Sequence, residues 1–344
     1  MATFYTCKYH SNESLPYAVS LVTLESRCIP PSNVLRISPF DRYNDTVVNF
    51  TVCVTPLHND FNDSRLLVEM VELNRMFGAQ RVVFYNLTTG SQVVPYLRSY
   101  EEIGVVTAVP WKLPVLTGAV GSGTNAEIHY YGQVAALNDC LYRNMFSSRY
   151  LVLTDLDEIV VPRRHGTWIE MMESEGKAFR SDWQSVVASF NIRNVFFRTD
   201  YGMDDLYVGN DSVHGLQLRS LLFTTREEMT FPHGIRSKHI VNPEAVLFVG
   251  VHQIARMLDN NRFFVLNVNE GAALLHHYRS WADAETDRQP SKTDRYMHLF
   301  NQTILMRVAG VHRLVASRFK DVTTIEDSRR ILSIRSKEDI TMQH

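Results

Sequence analysis

The stretch YLVLTDLDEIVVPR, residues 150–163, places three carboxylates, Asp155, Asp157 and Glu158, between two apolar runs. Leu151, Val152 and Leu153 precede them, and Ile159, Val160 and Val161 follow. Both runs are short and rich in aliphatic and β-branched residues, so each predicts a short buried strand. Carboxylates at the edge of a core repel one another and resist desolvation. Positive charge has to offset them, from a bound divalent cation or from a nearby Arg or Lys. Asp155 and Asp157 are two residues apart. In an extended segment both point to one side and can face a single cation, while Glu158 points elsewhere, toward backbone or an arginine. Oxygen ligands suit Mg²⁺ or Mn²⁺, which keep positions open for water or phosphate oxygens. A lone D-x-D is also what a solvated acidic turn looks like, and its place after a buried strand weighs against that reading.

The flanking pattern supplies the fold class. VVNFTVCVTP (47–56), QRVVFYNL (80–87) and VVTAVPW (105–111) predict strands. DSRLLVEMVELNRMFG (63–78) has apolar residues at helical spacing and closes on Gly78, a helix-stop signal. VVPYLRSYEEIG (93–104) predicts a short helix, and YYGQVAALNDCLYRNM (130–145) a helix that runs into the acidic stretch. Strands alternating with helices predict an α/β fold with a parallel sheet covered on its faces. In such sheets ligands bind outside the carboxyl ends of the strands, where DLDE sits. Beyond residue 165 the alternation decays. QSVVASFNI (184–192), HGLQLRSLLFTTR (214–226), RSKHIVNPEAVLFVGVHQ (236–253) and RFFVLNVNEGAALLHHYRSW (262–281) read mostly as strands and loops, and DRYMHLFNQTILMRV (294–308) as a helix. Residues 1–46 are polar and turn-rich, with Pro16, Pro30, Pro31 and Pro39, and predict a small β-rich extension or stem remnant. The main domain is expected over 47–320 and a tail over 321–344.

The totals exclude several classes. A formal charge of −2, a pI near 6.7 and the lack of a basic run give no footprint for nucleic acid. No apolar run is long enough to span a membrane, for which about 18 residues are needed. The start, MATFYTCKYH, lacks the regions of a signal peptide, which leaves a cytosolic protein or a luminal chain trimmed of its anchor. The sequons favour the lumen. Asn-x-Ser/Thr occurs at Asn12, Asn44, Asn49, Asn62, Asn86, Asn210 and Asn301, against roughly two or three by chance. Four cysteines, Cys7, Cys28, Cys53 and Cys140, allow three complete pairings. Cys7 with Cys28 is a plausible disulfide in an oxidising lumen, and Cys53, inside an apolar run, reads as simply buried.

Three stretches, YYGQVAALNDCLYRNMFSSRYLVLTDLDEIVVP (130–162), KHIVNPEAVLFVGVH (238–252) and LLHHYR (274–279), resemble glycosyltransferase family 92. The resemblance covers about residues 48–320. It implies a GT-A enzyme: a nucleotide-sugar-binding mixed sheet flanked by helices, with D-x-D holding a divalent metal on the donor diphosphate. It also implies inverting galactosyl transfer from UDP-galactose, forming β-linked galactosides, by a type II Golgi membrane protein.

Carried onto this chain, the resemblance makes Asp157 the first metal ligand and Asp155 a ligand of metal or ribose. His252 is the expected third ligand, with His276 and His277 as alternatives; each also reads as a core or surface histidine. Lys238 and Arg279 are expected on the diphosphate, or else in ion pairs. Gln133, Asn138 and Asp139 are expected near the donor, or else on a polar helix face, and Thr55, Pro56 and Leu57 near the uracil. Inversion needs a general base. Asp205 ranks just ahead of Asp204, Glu227 and Glu228, each of which reads equally as a surface carboxylate. Trp111, Trp168, Trp183 and Trp281 are stacking candidates for a sugar ring, or core residues. Where family members carry a Gly/Ser-rich stretch, this chain reads NIRNVFFRTDYGMDD (191–205), which leaves the base and the acceptor open.

The expectation is a luminal, Mn²⁺-dependent galactosyltransferase that forms a β1,4 linkage to a terminal galactose or fucose of a glycoprotein glycan. The alternatives are another nucleotide-sugar donor, a noncatalytic carbohydrate-binding protein on a degenerate transferase fold, and a cytosolic metal-dependent phosphohydrolase.

Overall fold

Strand pairing organises this protein, seen in a computed structural model that describes residues 16–23, 25, 30–37, 47–118, 126–178, 186–207, 210–281 and 289–319. Cys7, Cys28, Trp183, Asn12, Asn44 and the 321–344 tail lie outside the described residues. The chain divides into two units, Met1–Val47 and Val48–His344. In the first, Ala18–Val19 pairs antiparallel with Leu35–Arg36.

Among the described residues the second unit holds two large sheets, of seven and five strands, and two small two-stranded ones. The first begins with β1 (Val48–Val54), β2 (Arg81–Asn86), β3 (Val106–Pro110) and β4 (Ser148–Thr154), which run parallel in the order β4-β1-β2-β3. Their buried residues include Phe50, Val52, Val82, Phe84, Leu151, Val152 and Leu153. Crossover helices supply the cover that parallel strands require. Helix α1 (Ser64–Phe77) is capped by Asp63, whose side chain accepts from Leu66 N, and ends at Gly78 with φ 125°. Helix α2 (Val94–Glu102) carries Pro95 in its first turn, where a missing N–H costs nothing. Helix α3 (Gln133–Asn144) leads into β4.

After β4 the chain passes through the acidic stretch into β5 (Glu158–Pro162), which belongs to the second sheet. Helix α4 (Trp168–Ala178) follows. Strands β6 (Val186–Ile192), β9 (Lys238–Val241) and β10 (Phe263–Asn267) complete the first sheet as β10-β6-β9-β4-β1-β2-β3. There β9 runs antiparallel to both β4 and β6, so the sheet is mixed. The second sheet is β12-β8-β7-β11-β5, from β7 (Asn194–Arg198), β8 (Thr225–Glu227), β11 (Ala273–Arg279) and β12 (Ser291–Thr293). The α/β class and the mixed, helix-flanked sheet are those the resemblance implied.

Two local readings need correction. Residues 214–226 form mostly helix: α5 (Asp211–Leu216) and α6 (Arg219–Leu222) precede the short β8. The start of α6 is held by Glu69 of α1, which accepts from the backbone N–H of Arg219 and Ser220. No local signal in the sequence reports that distant cap. Cys53 is buried but not free; it is bonded to Cys140, pinning α3 to β1. Residues 294–308 are helical as read, a 3₁₀ turn at Tyr296–Phe300 followed by α7 (Asn301–Arg318).

Candidate active site

The acidic stretch lies where the chain leaves one sheet for the other. Thr154 ends β4 and Glu158 opens β5, with a turn between them. Asp155–Asp157 is therefore not extended, and Glu158 does not point away: its carboxylate folds back to accept from Asp155 N at 3.0 Å. The expectation of two aspartates on one side and Glu158 on the other is corrected by that turn.

Register brings the counter-charges. Strand β9 runs antiparallel to β4, with His239 paired to Leu153, so Lys238 lies beside the end of β4. Its Nζ donates to Asp155 Oδ2 at 2.9 Å and lies 3.3 Å from Glu158 Oε2. On the other flank β11 pairs with β5, His277 opposite Glu158. His277 Nε2 is 3.2 Å from Asp157 Oδ2, and Nδ1 is 3.2 Å from Glu158 Oε1. Two cations thus serve three carboxylates. Burial alone would lower the His277 pKa, but its bonds to Asp157 and Glu158 outweigh this and push it up to about 10. Burial would likewise raise Asp155, but Lys238 and Thr55 hold it below the usual carboxylate range. Lys238 is fully buried, and its two carboxylates keep it charged against desolvation.

A cleft of about 370 Å³ opens over this junction. Thr55, Pro56 and Leu57 line one wall, as expected from the end of β1, and Asp155, Asp157, His277 and Arg279 line it near the turn. Arg279 lies over the Trp281 ring at 4.6 Å. Sequence reasoning missed His58 and Phe61, and covered Leu66, Tyr130 and Arg219 only within quoted stretches with no site role, although all five also line the cleft. Of these, Tyr130 carried a signal: Tyr130, Tyr131 and Gly132 have φ of 47°, 58° and 74°, and YYG before a helix marks an irregular entry. His58 stacks on Tyr131 at 3.7 Å between ring centroids.

Several expected site residues do other work. Gln133 Nε2 and Thr55 Oγ1 donate to Asp155 Oδ1 at 2.9 and 2.8 Å, so with Lys238 on Oδ2 that carboxylate holds three hydrogen bonds. Lys238 is buried behind Asp155 and does not line the cleft. Asn138 is buried and bridges α3 to Val249, exchanging hydrogen bonds with its backbone N–H and carbonyl. Asp139 accepts from the Tyr85 hydroxyl at 2.6 Å and pairs with Arg143. Asn138 serves the inner packing of α3 and Asp139, 35% exposed, an ion pair along the helix; neither lines the cleft. His252 Nδ1 lies 3.2 Å from the Ser237 carbonyl and is not a cleft residue, so His277 takes the place expected of it beside Asp157. His276 is buried, near Arg163 and the Tyr278 hydroxyl.

The base candidates also lie apart from the cleft. Asp204 is buried and accepts from Arg295, Thr224 and Leu206 N. Burial opposes its ionisation, yet those donors lower its pKa to about 2. Such a saturated carboxylate is a poor proton acceptor. Asp205 is exposed in a 3₁₀ turn, Glu227 is buried against Arg198, and Glu228 is exposed. Trp168 is core, donating to Val160 O, and Trp111 donates to Tyr131 O.

Among the described residues no three His, Cys, Asp or Glu side chains are gathered as a ready metal cluster. Asp157 and His277 offer one oxygen and one nitrogen 3.2 Å apart at the cleft. That separation suits two neighbouring ligands of an octahedral ion with bonds of roughly 2.1 Å. A metal that replaces the proton shared by His277 Nε2 and Asp157, and takes its other ligands from water and phosphate, fits this donor pair; Asp155 beside it already accepts three hydrogen bonds.

The model of glycosyltransferase family 92 matches residues 48–307. In Caenorhabditis elegans, the Beta-1,4-galactosyltransferase galt-1 is 23% identical over 245 residues, which is 67% of this chain and 48% of that protein. The Glycosyltransferase family 92 protein F13G3.3 of the same organism is 30% identical over 127 residues, 36% of this chain and 25% of that protein. The chain therefore spans about half or less of the length of these curated relatives. Among solved structures, glucosyl-3-phosphoglycerate synthase from Mycobacterium tuberculosis aligns with a TM-score of 0.33 at 11% identity, covering 76% of this chain and 80% of that one. S. aureus TarS aligns with a TM-score of 0.30 at 11% identity, covering 82% and 68%. Likenesses this loose carry no argument about the site.

Proposed function

This chain belongs to glycosyltransferase family 92, and from that membership we propose that it transfers galactose from UDP-galactose to a terminal galactose or fucose of a glycoprotein glycan, forming a β1,4 linkage with inversion. The observation that carries the reading is the pairing of Asp157 with His277 at the mouth of a cleft that Thr55, Pro56 and Leu57 also line. The name of the 23%-identical relative supports galactose and the β1,4 linkage.

Asp157 and His277 would hold the divalent cation, Mn²⁺ in this reading. Bound there, the ion would offset the negative charge that develops on the leaving diphosphate. Asp155 acts one step back. With Thr55, Gln133 and Lys238 on its two oxygens, it fixes the turn from which Asp157 projects. Arg279 meets the diphosphate from the second sheet.

A Golgi lumen location belongs to the same reading. It is supported by the excess of sequons, of which Asn49, Asn62 and Asn210 are exposed, and by the Cys53–Cys140 disulfide, a bond that lasts in oxidising compartments. Among the described residues no helix is long and apolar enough to cross a membrane.

One observation favours a noncatalytic sugar-binding protein instead: none of Asp204, Asp205, Glu227 and Glu228 lines the cleft. Transfer from a panel of UDP-sugars, with Mn²⁺ or EDTA, to glycans ending in galactose or fucose separates the readings. The expected result is Mn²⁺-dependent galactosyl transfer that drops at least about 100-fold in Asp157→Ala, the scale of losing one preorganised electrostatic contact. No transfer from any donor by the folded protein would favour the binding protein.

A further inference from the structure

We propose that Arg219 binds the donor diphosphate and that the buried Glu69 carboxylate positions it; this rests on the nucleotide-sugar reading above. Arg219 and Asp157 both line the cleft, and both also line a small adjoining cavity, together with Leu66 and Leu156. The guanidinium-bearing residue and the metal-facing carboxylate therefore border the same continuous space. Lys238 is buried and committed to Asp155 and Glu158, and His277 to Asp157 and Glu158, so among the described residues the cations left on the cleft wall for an anionic ligand are Arg219 and Arg279.

The backbone of Arg219 is fixed with unusual care. Glu69 is 3% exposed. Its Oε2 accepts from Arg219 N at 2.9 Å, and its Oε1 accepts from Ser220 N at 2.9 Å and Ser220 Oγ at 2.6 Å. A buried carboxylate is costly unless hydrogen-bonded, and these bonds all go to the two residues that set Arg219 against the cleft. Its side chain, by contrast, is lightly held. Nη2 donates to Asp63 Oδ2 at 2.8 Å, with 33% and 38% of the two side chains exposed. An exposed pair of this kind changes an equilibrium by up to about fivefold. A diphosphate offers more charge and a bidentate match to the guanidinium fork, so it displaces Asp63.

Asp63 permits a variant whose effect has the opposite sign. Its Oδ1 caps α1 through Leu66 N while Oδ2 holds Arg219. Asparagine caps equally well, so Asp63→Asn releases Arg219 and keeps the helix.

The experiment is calorimetric titration of UDP and of uridine, both in Mn²⁺ buffer, into wild type, Arg219→Met, Arg219→Lys, Asp63→Asn and Glu69→Gln, with melting temperatures alongside. Arg219→Met is expected to weaken UDP about 10- to 100-fold, the scale of a charge-assisted contact, and to leave uridine unchanged. Arg219→Lys falls between, and Asp63→Asn tightens UDP by up to about fivefold. Glu69→Gln lowers the UDP-to-uridine affinity ratio. Arg219→Met binding UDP like wild type, or losing UDP and uridine equally, overturns the assignment of Arg219, as does weaker UDP binding by Asp63→Asn. A lower melting temperature in Glu69→Gln with an unchanged ratio removes the positioning role. Wild type that binds no UDP overturns the nucleotide-sugar reading itself, a result distinct from a failure of Arg219 alone.

Discussion

Lys238 shows how much one side chain carries here. It is 1% exposed and touches Asp155 and Glu158, the latter equally buried. Removing one partner of such a cluster leaves uncompensated buried charge, which costs about 3–5 kcal/mol. Lys238→Met is therefore expected to lower unfolding stability by that amount in urea titration; a loss below about 1 kcal/mol would mean that the carboxylates neutralise themselves some other way. Asp204 supports the reverse expectation. Its contacts with Arg295, Thr224 and Leu206 are structural, so Asp204→Asn should lower the melting temperature and leave kcat of the folded protein within about threefold. General-base loss is typically about 10²–10⁴-fold, and a drop of that size at unchanged stability would restore Asp204 to the chemistry.

At the scale of elements, the site depends on α3 being held to β1 and β4. Gln133, at the first turn of α3, reaches Asp155, and Cys140 on the same helix is bonded to Cys53 across 87 residues of chain. Loss of a native disulfide costs about 2–5 kcal/mol. The Cys53→Ala, Cys140→Ala double variant should show a loss in that range, together with weaker Mn²⁺-dependent UDP binding, because α3 positions Asp155. Equal stability with and without reductant in the wild type would contradict this. The helices that flank the first sheet were legible because periodicity, the Asp63 cap and the Gly78 stop all act within a few residues. Helix α6 was not, because its cap comes from Glu69, 150 residues earlier in the chain.

Over the whole molecule, buried titratable groups set the response to acid. His239 is buried, with Ser189 Oγ and the His252 carbonyl as its partners, and burial lowers its pKa to about 4. Below its unfolded value of about 6.5 the unfolded chain binds a proton that the native state refuses, so stability falls by about 1.4 kcal/mol per pH unit until about pH 4. Asp204, depressed to about 2, contributes stability that is present above its unfolded value of 3.8 and lost as pH falls toward 2. His276, also buried and lowered to about 3, adds to the same limb, so acid unfolding should show an early loss from pH 6.5 downward whose slope His239→Gln reduces without abolishing, and a later one that it leaves in place. An unchanged slope in His239→Gln would assign the early loss to other groups. The same long-range packing explains which parts of the site could be read in advance. Strand and helix alternation, and the placing of three carboxylates at the carboxyl end of a buried strand, follow from residue patterns a few positions long. They were determined by the sequence alone. Which cation neutralises Asp155, which histidine faces Asp157 and which cysteine joins Cys53 depend on partners 83, 120 and 87 residues away. Only the tertiary structure decided those, because the register between paired strands, and the helix packed on them, brings distant side chains within hydrogen-bonding reach.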